Sequence, residues 1–264
     1  MNQVATTIDT NNFAAMAQAM GMNAESTSKA SKASTLARLR IHHTPIMGQE
    51  EIKGKMKNIE VIGGGAYKLE IPDGLTYYAE GVTIRPFLQR FMYKKFIKGN
   101  DSTPNRFLKT VMGNDLNNDM KDNEGGFNCG KPAGFIQDWA ALPDTMKELI
   151  KSIKRVRALF GTVELVNPTD EKGTPVSVDA TPFIWEIDNR DAFKTMGEQF
   201  TKLTKMRRLP PQHNMALTTR EVPLPNGSSF FVPEAELDLG TTLEMDNHAQ
   251  EVFASFIAWI ENYN

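Results

Sequence analysis

The run VTIRPFLQRFMYKKFIK, residues 82–98, holds five cations (Arg85, Arg90, Lys94, Lys95 and Lys98) interleaved with four aromatics (Phe87, Phe91, Tyr93 and Phe96), and it contains no acid. Cations neutralise phosphates and flat rings take unstacked bases, so this composition suits a single-stranded nucleic acid. An ordinary sheet gives the same pattern a second reading. On a strand of period two, half of the rings face a core and the cations solvate the other face.

Two further basic clusters strengthen the first reading. KSIKRVRALFG (151–161) places Lys151, Lys154, Arg155 and Arg157 at a helix-to-strand junction beside Phe160. KLTKMRR (202–208) puts Lys202, Lys205, Arg207 and Arg208 at a helix C-terminus, where cations also complement the helix dipole. Three basic segments, two of them with aromatics, make a nucleic-acid footprint. No recognition helix for a duplex groove is evident.

Catalytic patterns are missing from the sequence. It has no Walker loop, no GxSxG and no HExxH. Adjacent His42 and His43 point to opposite faces of a strand and make a poor metal pair, while His213 and His248 stand alone. GGFNCGK (125–131) suits a tight turn with Lys131 beside a phosphate backbone, but nothing nearby would activate Cys129 as a nucleophile. The triple glycine at 63–65 lacks a following helix and does not read as a dinucleotide site. Asp115, Asp119, Asp122 and Glu124 do not match the spacing of a calcium-binding EF-hand. The expectation is a binding protein that is not an enzyme, with no cofactor and no metal.

The elements that must position these residues are mostly strands. Alternation predicts strands at 36–41 and 55–62, and Pro-Asp-Gly at 72–74 joins 66–71 to 75–80 as a hairpin. The long basic strand follows. A stretch rich in Asn, Asp and Gly (99–134) carries one short strand at 107–112. Residues 142–156 open with Pro and Asp at helix-start positions, and Met146, Leu149, Ile150 and Ile153 recur at helical spacing. Strands at 156–166 and 182–187, a helix at 188–206, a hairpin 214–224/228–233 and an amphipathic helix at 248–263 complete the chain. At the N-terminus a short helix (11–21) precedes a polar, low-complexity linker (23–34), an arm able to pack on its own body or on a neighbouring copy. These elements predict an α+β fold, mainly antiparallel, or a small Greek-key barrel. The expected divisions are 1–35 (helix and linker), 36–235 (main domain) and 236–264 (acidic segment with amphipathic helix).

Charge is distributed unevenly. The 264 residues carry a net −2, which argues against a bulk polyanion binder. After Arg220 there are eight acids and no Lys or Arg, so the first 220 residues carry +6. Such an acidic end can repel nucleic acid, compete for its groove or dock basic partners. One cysteine excludes an intramolecular disulfide and a Cys-rich zinc cluster, and fits a reducing cytoplasm. No run of about 18 apolar residues predicts a transmembrane helix. MNQVATTIDT has no basic region ahead of an apolar block, so no secretory signal is expected.

In the second half a basic strand KRVRALFGTVELV, a turn, a strand PFIWEI, a helix opening DNRDAFKTMGEQF and a hairpin MALTTREVPLPNGSSFFV follow one another. That order resembles the OB-fold single-stranded-DNA-binding proteins of tailed bacteriophages, over roughly residues 36–235. The resemblance implies an OB-like Greek-key barrel with inserted helices and a groove lined by cations and rings. Carried onto this chain, the lining residues are Arg85, Arg90, Tyr93, Lys94, Lys95 and Phe96 on the long strand, and Lys154, Arg155, Arg157 and Phe160 on the later one. Arg207 and Arg208 are further candidates from the third basic cluster.

The resemblance also implies single-stranded DNA (or RNA) as ligand and a role in DNA replication, recombination or repair in an infected cell's cytoplasm. It implies self-association through the N-terminal helix and replication proteins as partners of the acidic C-terminal segment. The chain departs from the pattern in two ways. A branch of that family holds zinc in a Cys/His cluster, which a single Cys cannot provide. The usual tail is disordered and rich in Asp and Ser, whereas this end is amphipathic. The alternative function is a structural or assembly protein of a virion, in which the terminal helices mediate subunit contacts and the basic strand is a plain sheet face.

Overall fold

The computed structural model describes residues 36–52, 54–132, 136–225 and 227–264. The expected N-terminal helix and linker lie outside these residues. The elements are β1 (Ala37–Ile41), β2 (Ile46–Ile52), β3 (Lys55–Ile62), β4 (Tyr67–Glu70), β5 (Thr76–Ala79), β6 (Gly81–Ile97), β7 (Arg106–Lys109), α1 (Asp144–Ser152), β8 (Ile153–Val166), β9 (Thr181–Ile187), α2 (Arg190–Lys205), β10 (Met215–Pro223), β11 (Ser229–Leu237) and α3 (Asn247–Tyr263).

The class is α+β with a mostly antiparallel sheet. The main sheet runs β11-β10-β6-β8-β9-β1-β4-β5, with β7 added beside the far end of β6, and β2–β3 form a separate ribbon. Among the described residues one pairing is parallel, a short one of Ala37 with Phe183 and Arg38 with Ile184 between β1 and β9. Among the described residues no ladder joins the two edges, so the sheet is open and the closed barrel expected from the sequence does not form. The sheet nevertheless curls until its two halves meet. The Tyr67 hydroxyl donates to the Thr218 carbonyl at 3.0 Å. Thr219 Oγ1 donates to the Gly65 carbonyl at 2.8 Å. Gly65 has φ of 90°, and a Cβ there would lie 2.4 Å from the Phe231 ring. The seam therefore needs glycine for its backbone and for the close approach.

Strand alternation sorts the core into an inner and an outer layer. Inside the curl, Leu39, Tyr67, Leu69, Val82, Ile84, Leu159, Phe183, Trp185 and Met215 pack with Ala192, Met196, Phe200 and Leu203 of α2. Asn189 caps α2 by accepting from the Asp191 and Ala192 amides, which satisfies two otherwise unpaired helix donors. Outside the curl, Phe87, Leu88, Met92, Val156, Ala158, Phe160 and Ile184 pack under Ala249, Val252, Phe256 and Ile260 of α3. The acidic C-terminal helix is thus docked on the sheet. Burying a ring such as Phe256, which meets Phe87 and Phe160 at 5.7 and 5.8 Å, stabilises the contact by about 1.5–3 kcal/mol. A third cluster (Tyr93, Leu108, Met120, Cys129, Ile153) lies under the 110–131 loop and α1.

β6 changes face partway along. Its pairing with β8 shifts register between Pro86 and Leu88, a bulge at a residue pair where proline has no amide to lose. Before the bulge the even positions Val82 and Ile84 point inward. After it the odd positions do, and Leu88 and Met92 point outward. Opposite the bulge a Cβ on Gly161 would sit 2.4 Å from the Arg85 carbonyl oxygen, so only glycine fits.

The expected helix at 142–156 stops at Ser152 because residues from Ile153 onward pair with β6. Ladder pairing there overrides the local helical periodicity. Strand β2 has no counterpart in the sequence reading.

Candidate nucleic-acid interface

The bulge in β6 decides where the basic residues go. Lys94 and Phe96 point outward with Lys154 of β8, which lies opposite Lys94. Tyr93 and Lys95 point inward with Arg155 and Arg157. Neighbours in sequence therefore serve opposite surfaces.

The outer surface beyond α3 is open. Phe96 and Phe107 face each other across the β6–β7 ladder with centroids 5.2 Å apart, and they are 45% and 49% exposed. Lys94 Nζ lies 4.8 Å from the Phe107 centroid. Asp188 holds Lys94 at 3.0 Å and Lys154 at 3.4 Å through the same oxygen, and Glu186 holds Lys109 at 2.7 Å. Burial pushes the Asp188 carboxyl up, but the Lys94 hydrogen bond and the charges of both lysines outweigh it and leave the pKa lowered.

Beside these residues β1 and β9 splay apart after Arg38. The opening is a cleft of about 430 Å3 whose lining includes Arg38, Arg40, Lys94, Phe107, Lys109 and Asp188. On β4, Lys68 pairs with Arg40 across the ladder, and both cations reach Glu70. Six cations on this face (Arg38, Arg40, Lys68, Lys94, Lys109 and Lys154) thus meet three carboxylates. Around the cleft the cations outnumber their carboxylate partners.

The inner surface is organised differently. Arg157 is only 7% exposed, and its guanidinium lies 4.5 Å from the Phe193 centroid and 5.0 Å from that of Phe91. Its Nη1 donates to Gln89 Oε1, while Nε has no partner. Burial lowers its pKa to about 10, so it remains a cation at neutral pH. Arg155 lies 5.7 Å from the same Phe193 ring. Lys131 donates to the Tyr93 hydroxyl at 3.3 Å and sits 5.0 Å from that ring. Among the described residues none of Lys95, Lys131, Arg155 and Arg157 forms an ion pair with a carboxylate.

Several expected site residues have other duties. Tyr93 is 2% exposed and donates to the Leu116 carbonyl at 2.8 Å, so its ring offers no stacking surface. Phe160 is 0% exposed and packs on Phe256 and Trp259, which removes it as a stacking ring as well. Arg85 donates to the carbonyls of Pro211 at 2.7 Å and Glu244 at 2.6 Å, tying the C-terminal segment to the sheet. Arg90 donates to the neighbouring Gln89 carbonyl and is partly buried, which lowers its pKa. Arg208 donates to the Leu239 carbonyl at 3.1 Å. Arg207 is exposed at the far end of α2, about 20 Å along the helix axis from Phe193. The single groove expected from the sequence is therefore two separate surfaces, with Arg207 and Arg208 apart from both.

The acidic loop closes on itself. Asp115 accepts from the Asn117 amide, Asp122 from the Glu124 and Gly126 amides, and Asp119 from the Asn128 side chain. Cys129 is buried, and burial pushes its thiol up to about 11, which keeps it protonated at neutral pH.

The sequence reading missed Arg38, Arg40, Phe107, Lys109 and Phe193. Alternation in Leu36-Ala37-Arg38-Leu39-Arg40-Ile41 and in Arg106-Phe107-Leu108-Lys109 was the available signal, but which strands β1 and β7 would join is not encoded locally. Comparison of the chain with protein-family models, curated proteins and solved structures gives no match.

Proposed function

We propose that the outer surface binds a single strand of nucleic acid without sequence preference. Bases stack on Phe96 and Phe107, and phosphates meet Arg38, Lys94, Lys109 and Lys154. The observation that carries this reading is the exposed ring pair set among cations at the mouth of the cleft. Every base has a π-face, so such a platform is sequence-tolerant. A duplex keeps its bases stacked inside and would leave the rings without partners.

Binding works by exchange. A phosphate oxygen replaces Asp188 at Lys94 and Lys154, and another replaces Glu186 at Lys109. The carboxylates keep the lysines in place when no strand is bound and return to them when it leaves. One set of charge-assisted contacts is traded for another, so the electrostatic gain comes from released counterions. The OB-type resemblance is carried here by the sequence pattern alone, since the described sheet is α+β, mostly antiparallel and open. The role in phage DNA replication, recombination or repair belongs to the same proposal and rests on that resemblance.

The test is fluorescence anisotropy with labelled single-stranded and duplex oligonucleotides at low and high salt. The single strand is expected to bind more tightly, with log K falling by about 0.7 per log unit of salt for each phosphate contacted. No binding at low salt overturns the reading. A defined oligomer indifferent to oligonucleotide would favour the assembly alternative instead.

A further inference from the structure

The inner surface poses a problem that the outer one does not. Outside, Lys94, Lys109 and Lys154 each rest against a carboxylate. Inside, among the described residues, Lys131, Arg155 and Arg157 have none. Asp115 and Asp119 act on the Tyr93 hydroxyl from the 110–131 loop, yet neither pairs with these three cations. A buried charge without a counter-charge is costly, and like charges nearby add to the cost. The charge of Arg155 contributes to lowering the pKa of Lys131, after burial.

The fold makes room for this arrangement. Gly197 of α2 lies directly over Arg157, where a Cβ would stand 2.6 Å from Nη2. Phe91 and Phe193, themselves in contact with centroids 6.1 Å apart, both lie against the guanidinium, and Gln89 fixes one edge. Arg155 shares the Phe193 ring with Arg157 and is exposed, and Lys131 is half-exposed. A buried cation thus forms a floor, with two reachable donors beside it.

We propose that Lys131, Arg155 and Arg157 form an oxyanion site for a phosphate group on the inner face of the β6–β8 pair. Arg155 and Lys131 donate to the phosphate oxygens, and Arg157 supplies positive charge from beneath. The group is either a nucleic-acid backbone phosphate or the phosphate of a small free molecule. The site is separate from the Phe96–Phe107 surface, since the two lie on opposite sides of the same strands.

Pyrophosphate is the probe, followed by isothermal calorimetry and by thermal unfolding at matched ionic strength. The intact protein is expected to bind it and to unfold at higher temperature with it than with chloride. The double variant Lys131→Gln/Arg155→Gln, changed at accessible positions, should bind roughly tenfold more weakly or worse. Phe96→Ala/Phe107→Ala should bind pyrophosphate as the intact protein does, which separates this site from the strand-binding surface. Displacement by a long oligonucleotide identifies the source as backbone phosphate, and displacement only by a mononucleotide identifies a free phosphate compound. The proposal is overturned if the intact protein gives no pyrophosphate signal, or if the double variant keeps it in full.

Discussion

Phe96 and Phe107 stand opposite each other on β6 and β7 with ring planes tilted by 53°, and each leaves close to half of its surface in solvent. Two rings in contact gain from each other, but their exposed faces gain nothing until something flat covers them. Replacing either by Ala should weaken binding of a single-stranded oligonucleotide by ~1–3 kcal/mol, roughly fivefold to over a hundredfold. Thermal stability should change little, because neither ring is in a core cluster. Anisotropy titrations paired with thermal melts check both halves.

Asp188 competes with the bound strand for Lys94 and Lys154. Asp188→Asn should therefore tighten oligonucleotide binding severalfold while weakening the fold. The loss of one carboxylate frees two lysines, so the salt dependence of binding should steepen. Titrations of both proteins over a salt series measure this directly.

Acid should expose the same carboxylate in stability. The folded-state pKa of Asp188 lies below its ordinary value of 3.8. Its contribution to stability is accordingly complete above that value and is lost as pH falls through the lower, folded-state pKa. Urea unfolding from pH 6 down to pH 2.5 should show intact protein and Asp188→Asn converging at the acid end. A constant difference throughout would show that Asp188 contributes nothing through its charge.

Buried rings should behave in the opposite way to Phe96. Phe160→Ala is expected to cost about 3–5 kcal/mol of stability, as large-to-small changes in a packed core do. Tyr93→Phe removes the hydroxyl's hydrogen bonds with the Leu116 carbonyl and with Lys131 and should cost about 1–3 kcal/mol. Because its ring is buried, Tyr93→Phe should cost oligonucleotide affinity far less than Phe96→Ala does. Denaturant unfolding and anisotropy on the same samples separate the two effects.

Local signals were legible where the chemistry is local. Pro-Asp-Gly at 72–74 marks the β4–β5 hairpin, and the apolar spacing of Val252, Phe256 and Ile260 marks α3. The facing of β6 was not legible. Period-two reading from Val82 would send Lys94 and Phe96 inward with the core. The bulge beside Pro86 reverses that parity, and it depends on Gly161 in a strand about 75 residues later. Exposure of rings was equally hidden. Phe160 and Phe96 have similar basic neighbours, and only the docking of α3 buries the first and leaves the second free. Lys109 and Arg38 reach the candidate surface through strand pairings that no short window contains.

The most direct measurement is binding of a labelled single-stranded oligonucleotide at low salt to the intact protein and to Phe96→Ala/Phe107→Ala, with melting curves for each. The intact protein should bind, and the variant should lose at least tenfold in affinity while melting at nearly the same temperature. An intact protein that ignores the oligonucleotide, or a variant that binds it equally well, contradicts the account.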